Sequence, residues 1–523
     1  MTRPMILRSR LASFVILVVV ALCLYLPFLT RNYDLNGLAE VAAVKTGVAG
    51  ALFSPNHMLY RPVAFSVQRF LTSHGFEISL LSMMQVMSAI FGALGVGFTY
   101  LMISRLVTQP MIAFWASLGL GVSWSYWTLS TDVYYFSLAA MLVAITMAIF
   151  VNGKTAFASI ACGVFAGLSI LACQANVFLL PGLAVAAVIY NGDLHPQELI
   201  RRILRIWGST AALIVLVYVC VGVFVYNEGT LSDVIRWGTR YSGNLLPMWA
   251  SWSPIRFALA AGSAVKSIVG MELSRFGFAL RHLKNGELPT WFAPLVFPLL
   301  VAAVVVVYRM GKPNKNGNRT ALWLLLMYLA YLPFNIWWEG MEPRWFIFPN
   351  IFLAGLIAVT ADRWKDARYF RVALPAIVVL VGFSNFMLSA APRRLRPTVD
   401  MQTADCVASH MKREDLFLAT EWNWAGYIEY VHDRAVLNMI SEVSRTGSKK
   451  AAFTEIAKAV YERQRQGGDV YMMNFEIYPP EYMQWLASQT AVTADDLRTY
   501  HGTPAFQCSY GNFIRLDRNI GIQ

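Results

Sequence analysis

Charge is scarce in this chain: only 14% of its 523 residues are Asp, Glu, Lys or Arg. Soluble domains carry about a quarter charged residues, so most of this chain is not built to face water. The basic excess, 43 Lys and Arg against 30 Asp and Glu, falls in short runs between apolar stretches. It forms no basic domain of its own, which excludes a nucleic-acid binder. Cysteine is sparse as well, six in all, and no spacing has the pattern of a zinc or iron–sulfur site. The polar C-terminal region lacks a nucleophile elbow and a phosphate loop. Internal repeats and a clear set of mid-span charges are also missing, which argues against a transporter.

What is present is about eleven apolar stretches of membrane-spanning length, the layout of an α-helical polytopic membrane protein. They lie near 11–30, 80–104, 111–129, 134–151, 155–173, 177–190, 207–226, 291–308, 320–337, 345–361 and 372–391. Arg3, Arg8 and Arg10 precede the first. Arg105, Lys154, Arg201, Arg202, Arg205 and the basic segments 309–319 and 363–371 alternate onto that same side. Basic loops stay cytoplasmic, so the N-terminus is expected inside. An odd number of spans then delivers residues 392–523 outside, into the periplasm if the membrane is the inner membrane of a bacterium. Tyr25-Leu26-Pro27-Phe28-Leu29 offers no small-residue cleavage site, so the first stretch reads as a span and not as a signal peptide.

The expected organisation is a transmembrane domain over 1–391, with external segments at 31–79 and 227–290, followed by a small extracytoplasmic α/β domain over 392–523. Residues 38–51 and 62–71 have the spacing of amphipathic helices at a membrane surface. Segment 227–290 holds Trp and Arg residues that read as interfacial anchors. In the tail, Leu416-Phe417-Leu418-Ala419 and Val470-Tyr471-Met472-Met473 read as buried strands. Residues 449–465 read as a helix, and a hairpin is expected around Tyr510-Gly511-Asn512. Four cysteines, Cys23, Cys162, Cys173 and Cys220, sit in apolar spans as small hydrophobes. Cys406 and Cys508 are the two in the tail, and an oxidising compartment would permit their pairing. Gly92, Gly95 and Gly97 share one span and suit close helix packing. Gln174 and Asn176 read equally as cavity-lining groups or as a break between two spans.

Chemistry must then come from external loops beside the membrane. Asp34 follows the first span closely, with Glu40 six positions on. Asp132 heads the fourth span in Ser130-Thr131-Asp132-Val133-Tyr134-Tyr135, where a helix cap is the simpler reading.

The combination of Asp34, then Ser54-Pro55-Asn56-His57-Met58-Leu59-Tyr60-Arg61-Pro62, then Thr131-Asp132-Val133-Tyr134-Tyr135 resembles the polytopic GT-C glycosyltransferases. Within them it resembles the bacterial proteins and protein O-mannosyltransferase relatives whose loops read aspartate, a His-Pro-rich segment and Glu-Val-Tyr. This chain has Asp132 where those relatives usually carry Glu, and Pro55-Asn56-His57 where they carry a His-Pro pairing. Thr420-Glu421-Trp422-Asn423-Trp424 and Tyr427-Ile428-Glu429-Tyr430 are similar to the tails of such enzymes.

The resemblance implies a GT-C-like fold and transfer of a sugar from a polyprenyl-phosphate donor to an extracytoplasmic protein, lipid or cell-surface glycan. Such transfer needs a carboxylate that deprotonates the acceptor and stabilises the charge growing at the anomeric carbon. Asp34 is the first candidate, with Asp132 and Glu40 in reserve. Cations should hold the donor phosphate, and His57, Arg61 and Arg344 are the candidates. For Arg344 a brace to Glu339 or Glu342 is an equal alternative. Some relatives use a divalent metal ion, and no motif here requires one. The partners implied are membrane lipids, the lipid-linked donor and the acceptor. The alternatives are a polymerase of lipid-linked oligosaccharide units, a lipid-linked sugar transporter and a non-enzymatic scaffold.

Overall fold

A computed structural model describes residues 3–190, 195–244, 254–270, 315–338, 342–364, 368–420, 423–446, 448–478 and 480–518. The chain divides into two compact units, one of Met1–Thr30 with Ala43–Arg394, the other of Arg31–Ala42 with Leu395–Gln523. This differs from a single cut after residue 391, because the twelve residues that follow the first span group with the tail.

The larger unit is helical. Among the described residues five stretches are long and apolar enough to cross a membrane: Arg10–Phe28, Leu80–Leu106, Pro196–Phe224, Asn318–Trp337 and Val372–His410. Shorter apolar helices are Pro110–Gly121, Phe136–Asn152, Ala156–Ala172 and Gln174–Tyr190. The apolar run 111–129 is two helices, Pro110–Gly121 and Trp124–Ser130, since Asn385 Nδ2 takes the Val122 carbonyl at the break (2.7 Å). The run 345–361 likewise begins as a tight turn, Pro343–Ile347, before the helix Pro349–Arg363. The expected span at 291–308 lies outside the described residues.

Helix ends follow their sequence signals. Ser79 caps Leu80–Leu106, accepting from Ser82 N at 3.2 Å, and Thr155 caps Ala156–Ala172, accepting from Ala158 N at 3.1 Å, each satisfying an otherwise orphaned donor. Helix Leu80–Leu106 packs against Arg3–Tyr25 and Phe136–Asn152. Its small residues permit close approach: a Cβ on Gly92 would stand 2.1 Å from Ser130 Oγ, and one on Gly95 2.1 Å from Tyr126 Oη. Packing by small residues is the means available where lipid removes the hydrophobic drive between helices.

The last apolar helix, Arg368–Asn385, passes into a wide π-type turn at Phe386–Ala390 and resumes as Ala391–Leu395. A π-turn inserts extra residues per turn and re-aims whatever follows it. Asn385 anchors its start, accepting from Gly270 N at 2.7 Å and donating to Val122 O and to Ile268 O.

The smaller unit holds a five-stranded sheet in the order β2-β1-β3-β5-β4. The strands are β1 Leu416–Ala419, β2 Ala435–Asn438, β3 Val470–Met473, β4 Gly502–Cys508 and β5 Gly511–Leu516. β1 pairs parallel with β2 and β3, while β5 runs antiparallel to β3 and forms a hairpin with β4. Side chains alternate between faces. Leu416 and Leu418 join Ile456, Val460, Leu486 and Tyr500 in one core cluster. On the other face Phe417 meets Trp424, with ring centroids 5.1 Å apart, and Trp424 meets Phe513 at 5.5 Å. Cys406 and Cys508 are joined by a disulfide, with Cα atoms 6.0 Å apart.

Arg31–Ala42 belongs here for local reasons. Asn32 Nδ2 donates to Arg396 O at 3.0 Å, and its Oδ1 accepts from Thr398 N at 3.2 Å. Tyr427 Oη donates to Tyr33 O at 2.8 Å. Gly426 leaves no room for a side chain beside Leu35, whose Cδ1 would lie 2.6 Å from an added Cβ.

Candidate functional site

In the larger unit the loop 131–135 is held from several sides. Helix Trp124–Ser130 ends at Thr131, whose hydroxyl returns to the Trp127 and Thr128 carbonyls. The Thr131 carbonyl accepts from Thr30 N at 3.0 Å and from Gln85 Nε2 at 3.3 Å, and that amide also reaches Thr30 O at 2.8 Å. The end of the first span and this loop are thereby fixed to one buried glutamine. Tyr60 Oη shares a hydrogen bond with Ser88 Oγ at 3.0 Å, and Tyr134 N lies 3.4 Å from that same oxygen.

Asp132 is buried, with 2% of its side chain exposed. Its Oδ1 accepts from Val133 N at 2.8 Å and its Oδ2 from Arg393 Nη2 at 2.8 Å. The cap reading for Asp132 is therefore corrected: the next helix starts only at Phe136, and its first flanking residue, Tyr135, makes no side-chain cap. A carboxylate this deep is expensive unless paired, and Arg393 supplies the pair. Arg393 also reaches Thr30, Nε to Oγ1 at 3.4 Å.

Two of the cationic candidates, His57 and Arg344, lie on the two tyrosines that follow. The His57 ring stacks on Tyr135 with centroids 4.4 Å apart and 7° between planes. Arg61 Nη2 lies 3.3 Å from His57 Nε2, while its Nη1 donates to Ala51 O at 2.7 Å. The Arg344 guanidinium sits 5.9 Å from the Tyr134 ring centroid, and its Nη1 donates to Tyr134 Oη at 3.1 Å. Its Nε is 3.6 Å from Glu342, so a brace and an aromatic seat coexist; Glu339 lies outside the described residues. Tyr134 and Tyr135 are neighbours at 4.9 Å. His57 thus joins Arg61 to Tyr135, while Arg344 is seated on the neighbouring Tyr134.

In the smaller unit Asp34 does the capping. Its Oδ1 accepts from Asn36 N at 2.9 Å and from Asn36 Nδ2 at 3.0 Å, at the start of helix Leu35–Thr46. Glu40, the reserve candidate, lies on the same helix and is buried at 2% exposure. Of the tail motif, Glu421 and Trp422 lie outside the described residues, and Trp424, Tyr427 and Ile428 are buried in the domain core. Among the described residues no group of three His, Cys, Asp or Glu side chains could hold a metal ion.

Arg393 was not legible as a site residue. Its only signal was a Pro-Arg-Arg run directly after the last apolar stretch, 261 positions from its partner.

No family model matches the chain, and no curated protein matches it in sequence. Solved structures do. ArnT from Cupriavidus metallidurans in the apo state aligns over 97% of this chain and 99% of its own, at 14% identity and a TM-score of 0.57. The same protein bound to undecaprenyl phosphate aligns over the same shares, at 14% identity and a TM-score of 0.50. An oligosaccharyltransferase of Archaeoglobus fulgidus aligns over 95% of this chain and 72% of its own, at 14% identity and a TM-score of 0.48. The chain thus shares the fold of ArnT: a largely helical domain with helices long and apolar enough to cross a membrane, and a small mixed-sheet domain. Likeness at this identity speaks for the fold alone.

Proposed function

We propose that the chain is a membrane glycosyltransferase that moves a sugar from a polyprenyl-phosphate donor to an extracytoplasmic acceptor. The observation that carries this reading is the pair of neighbouring tyrosines, with His57 stacked on Tyr135 and bonded to Arg61, and Arg344 seated on Tyr134, in a chain with the fold of ArnT, which has been solved bound to undecaprenyl phosphate. Arg61 and Arg344 hold the leaving phosphate through planar donors, and His57 adds a third contact. Cations placed there favour departure of the lipid phosphate, since negative charge grows on it as the glycosidic bond breaks.

Asp34 is the proposed catalytic carboxylate, on the grounds of its place after the first span and its motif. It takes the acceptor proton as the acceptor oxygen attacks the anomeric carbon, and the bond to the lipid phosphate breaks in the same displacement. Asp132 is assigned to holding Arg393 and not to proton transfer, because both of its oxygens are engaged. The membrane is taken to be a bacterial inner membrane, with the N-terminus inside and the tail exported.

The test is mass analysis of surface glycans from a strain deleted for this chain and complemented with it or with Asp34→Asn. One glycan should lack a single sugar in the deletion, regain it with the native chain and not with Asp34→Asn. A ladder of lost lengths would favour a polymerase. Glycans identical in all strains would remove the enzyme reading altogether.

A further inference from the structure

The residues that would grip the donor phosphate sit on a segment with little regular structure of its own. Between helices Ala49–Leu52 and Tyr60–Ser73, the stretch 53–59 has one internal backbone bond in its turn, His57 N to Ser54 O at 3.1 Å. Its other backbone groups look elsewhere for partners.

The partners come from the break between helices Ala156–Ala172 and Leu179–Tyr190. Gln174 N donates to Asn56 O at 3.2 Å, and Met58 N donates to Leu171 O at 2.7 Å, so the residues on either side of His57 are both tied to that break. The Gln174 side chain adds a third tie: its Nε2 lies 2.9 Å from Pro55 O, 2.6 Å from Tyr218 Oη and 3.2 Å from Gly238 O. Tyr218 Oη donates to Pro55 O in turn. Gly238 lets helix Leu231–Asn244 come this close, since a Cβ there would be 3.0 Å from the Tyr218 ring. Met58 completes the seating in a cluster with Leu171, Val221 and Trp237.

One amide thus joins four segments, and the segment it fixes carries the imidazole and, four residues on, the guanidinium of the proposed phosphate grip. We propose that Gln174 is a positioning residue for lipid-phosphate binding, acting through the 55–58 segment on His57 and Arg61. This rests on the reading of those two residues as phosphate ligands. Pro55 contributes by offering a carbonyl without an N–H that would need its own partner. The helix break therefore has a purpose beyond ending one helix and starting another: it presents Gln174 and the Leu171 carbonyl to a neighbouring loop.

The experiment measures binding of undecaprenyl phosphate to the purified full chain in detergent, for the native protein, Gln174→Met, Arg61→Ala and the double variant. Methionine keeps the side chain's length and removes its donors. Gln174→Met should weaken binding by about tenfold, the scale of one to two lost net hydrogen bonds. In the Arg61→Ala background the same change should cost less, because of the two groups it positions only His57 remains. The phosphorus NMR resonance of the bound lipid should move in the same direction in Gln174→Met as in Arg61→Ala, a signature that a general loosening of the fold would not give.

The outcomes separate cleanly. If Arg61→Ala itself leaves binding unchanged, the phosphate-grip reading fails, and this inference fails with it. If Arg61→Ala weakens binding while Gln174→Met does not, only the inference is overturned, and the same follows if the two losses simply add. Should Gln174→Met not fold, Tyr218→Phe removes one donor to Pro55 with no change of shape and must show a smaller loss with the same coupling to Arg61; additive behaviour there overturns the inference too.

Discussion

Asp132→Asn changes a buried carboxylate into an amide of nearly the same shape, and the surroundings of that residue set the cost. Only 2% of the Asp132 side chain and 26% of Arg393 are exposed. The two oxygens of Asp132 serve different donors, Val133 N and Arg393 Nη2. An asparagine can satisfy one of them with its oxygen, and its NH2 must then face the other donor. Removing one partner of a buried pair costs about 3–5 kcal/mol, because the remaining charge is left uncompensated. Arg393 keeps about a quarter of its surface in solvent and a contact with Thr30, which places the loss near the lower end, about 3 kcal/mol. For a chain of 523 residues, with an unfolding entropy of about 2.1 cal/mol/K per residue, this amounts to a fall in thermal midpoint of about 3 °C. The assay is the unfolding midpoint of the purified protein in detergent, followed by tryptophan fluorescence. The double variant Asp132→Leu with Arg393→Met removes both charges, and its midpoint should lie well above the value obtained by adding the two single losses. An unchanged midpoint in Asp132→Asn, or strict additivity in the double variant, would refute the buried pair.

Asp34→Asn should keep the unfolding midpoint, since an amide oxygen still accepts from Asn36 N, whereas Asp34→Ala should lose about 1 kcal/mol; equal midpoints for the two would dismiss the cap. If Asp34 is also the base, Asp34→Asn slows sugar transfer by about a hundredfold or more at unchanged stability. Thiol labelling of the denatured, unreduced protein should reach Cys23, Cys162, Cys173 and Cys220 but not Cys406 or Cys508. Replacing that pair, whose members are 102 residues apart, should destabilise the tail by up to about 4–5 kcal/mol in the chain-entropy picture. In the tail, burial pushes the Asp496 carboxyl up, but the Thr493 N–H and hydroxyl and the Lys449 ammonium outweigh it and hold the group below its ordinary value of 3.8. A depressed folded value means that this stabilisation is complete above the unfolded value and is lost as pH falls below 3.8 through the folded one. Lys449→Met should therefore shift the acid-unfolding midpoint of the tail upward, and no shift would discard the interaction. Reporter fusions after Lys154 and after Leu395 should report opposite sides of the membrane; a common side would discard the proposed orientation.

Local signals were the ones the sequence could show. β1, β3, the helix Lys449–Arg465 and the β4–β5 hairpin could be read because alternation and turn residues act over a few positions. β2 leaves no such signal: four half-buried residues at a sheet edge carry too short a pattern. The capping assignment went to Asp132 when it belongs to Asp34, because the apolar run from Tyr134 onward looked helical two residues before the helix begins. His57, Arg61 and Arg344 could be chosen by residue type, but the stacking of His57 on Tyr135 and the seat of Arg344 on Tyr134 depend on tertiary packing. Gln174 read equally well as a helix break, because its acceptors, Pro55 and Gly238, are 119 and 64 positions away. Long-range polar pairs leave no periodic trace, so the scaffold of the site was readable only in part.

The segment Arg31–Ala42 groups with residues that begin at Leu395, which gives the chain a timing problem during its own synthesis. About 350 residues separate the two pieces. At a translation rate of roughly 5–20 residues per second, the early piece waits on the order of 20–70 s for its partner strand and helices to be made. Throughout that interval Leu35 and Leu38 have no Gly426 to lie against. A newly made chain of this kind therefore needs either a chaperone or the membrane surface to shelter a short apolar helix until the tail arrives. A tail excised at residue 395 would also lack its first twelve residues, so a soluble fragment has to be rebuilt by joining Arg31–Ala42 to Leu395, not by simple truncation.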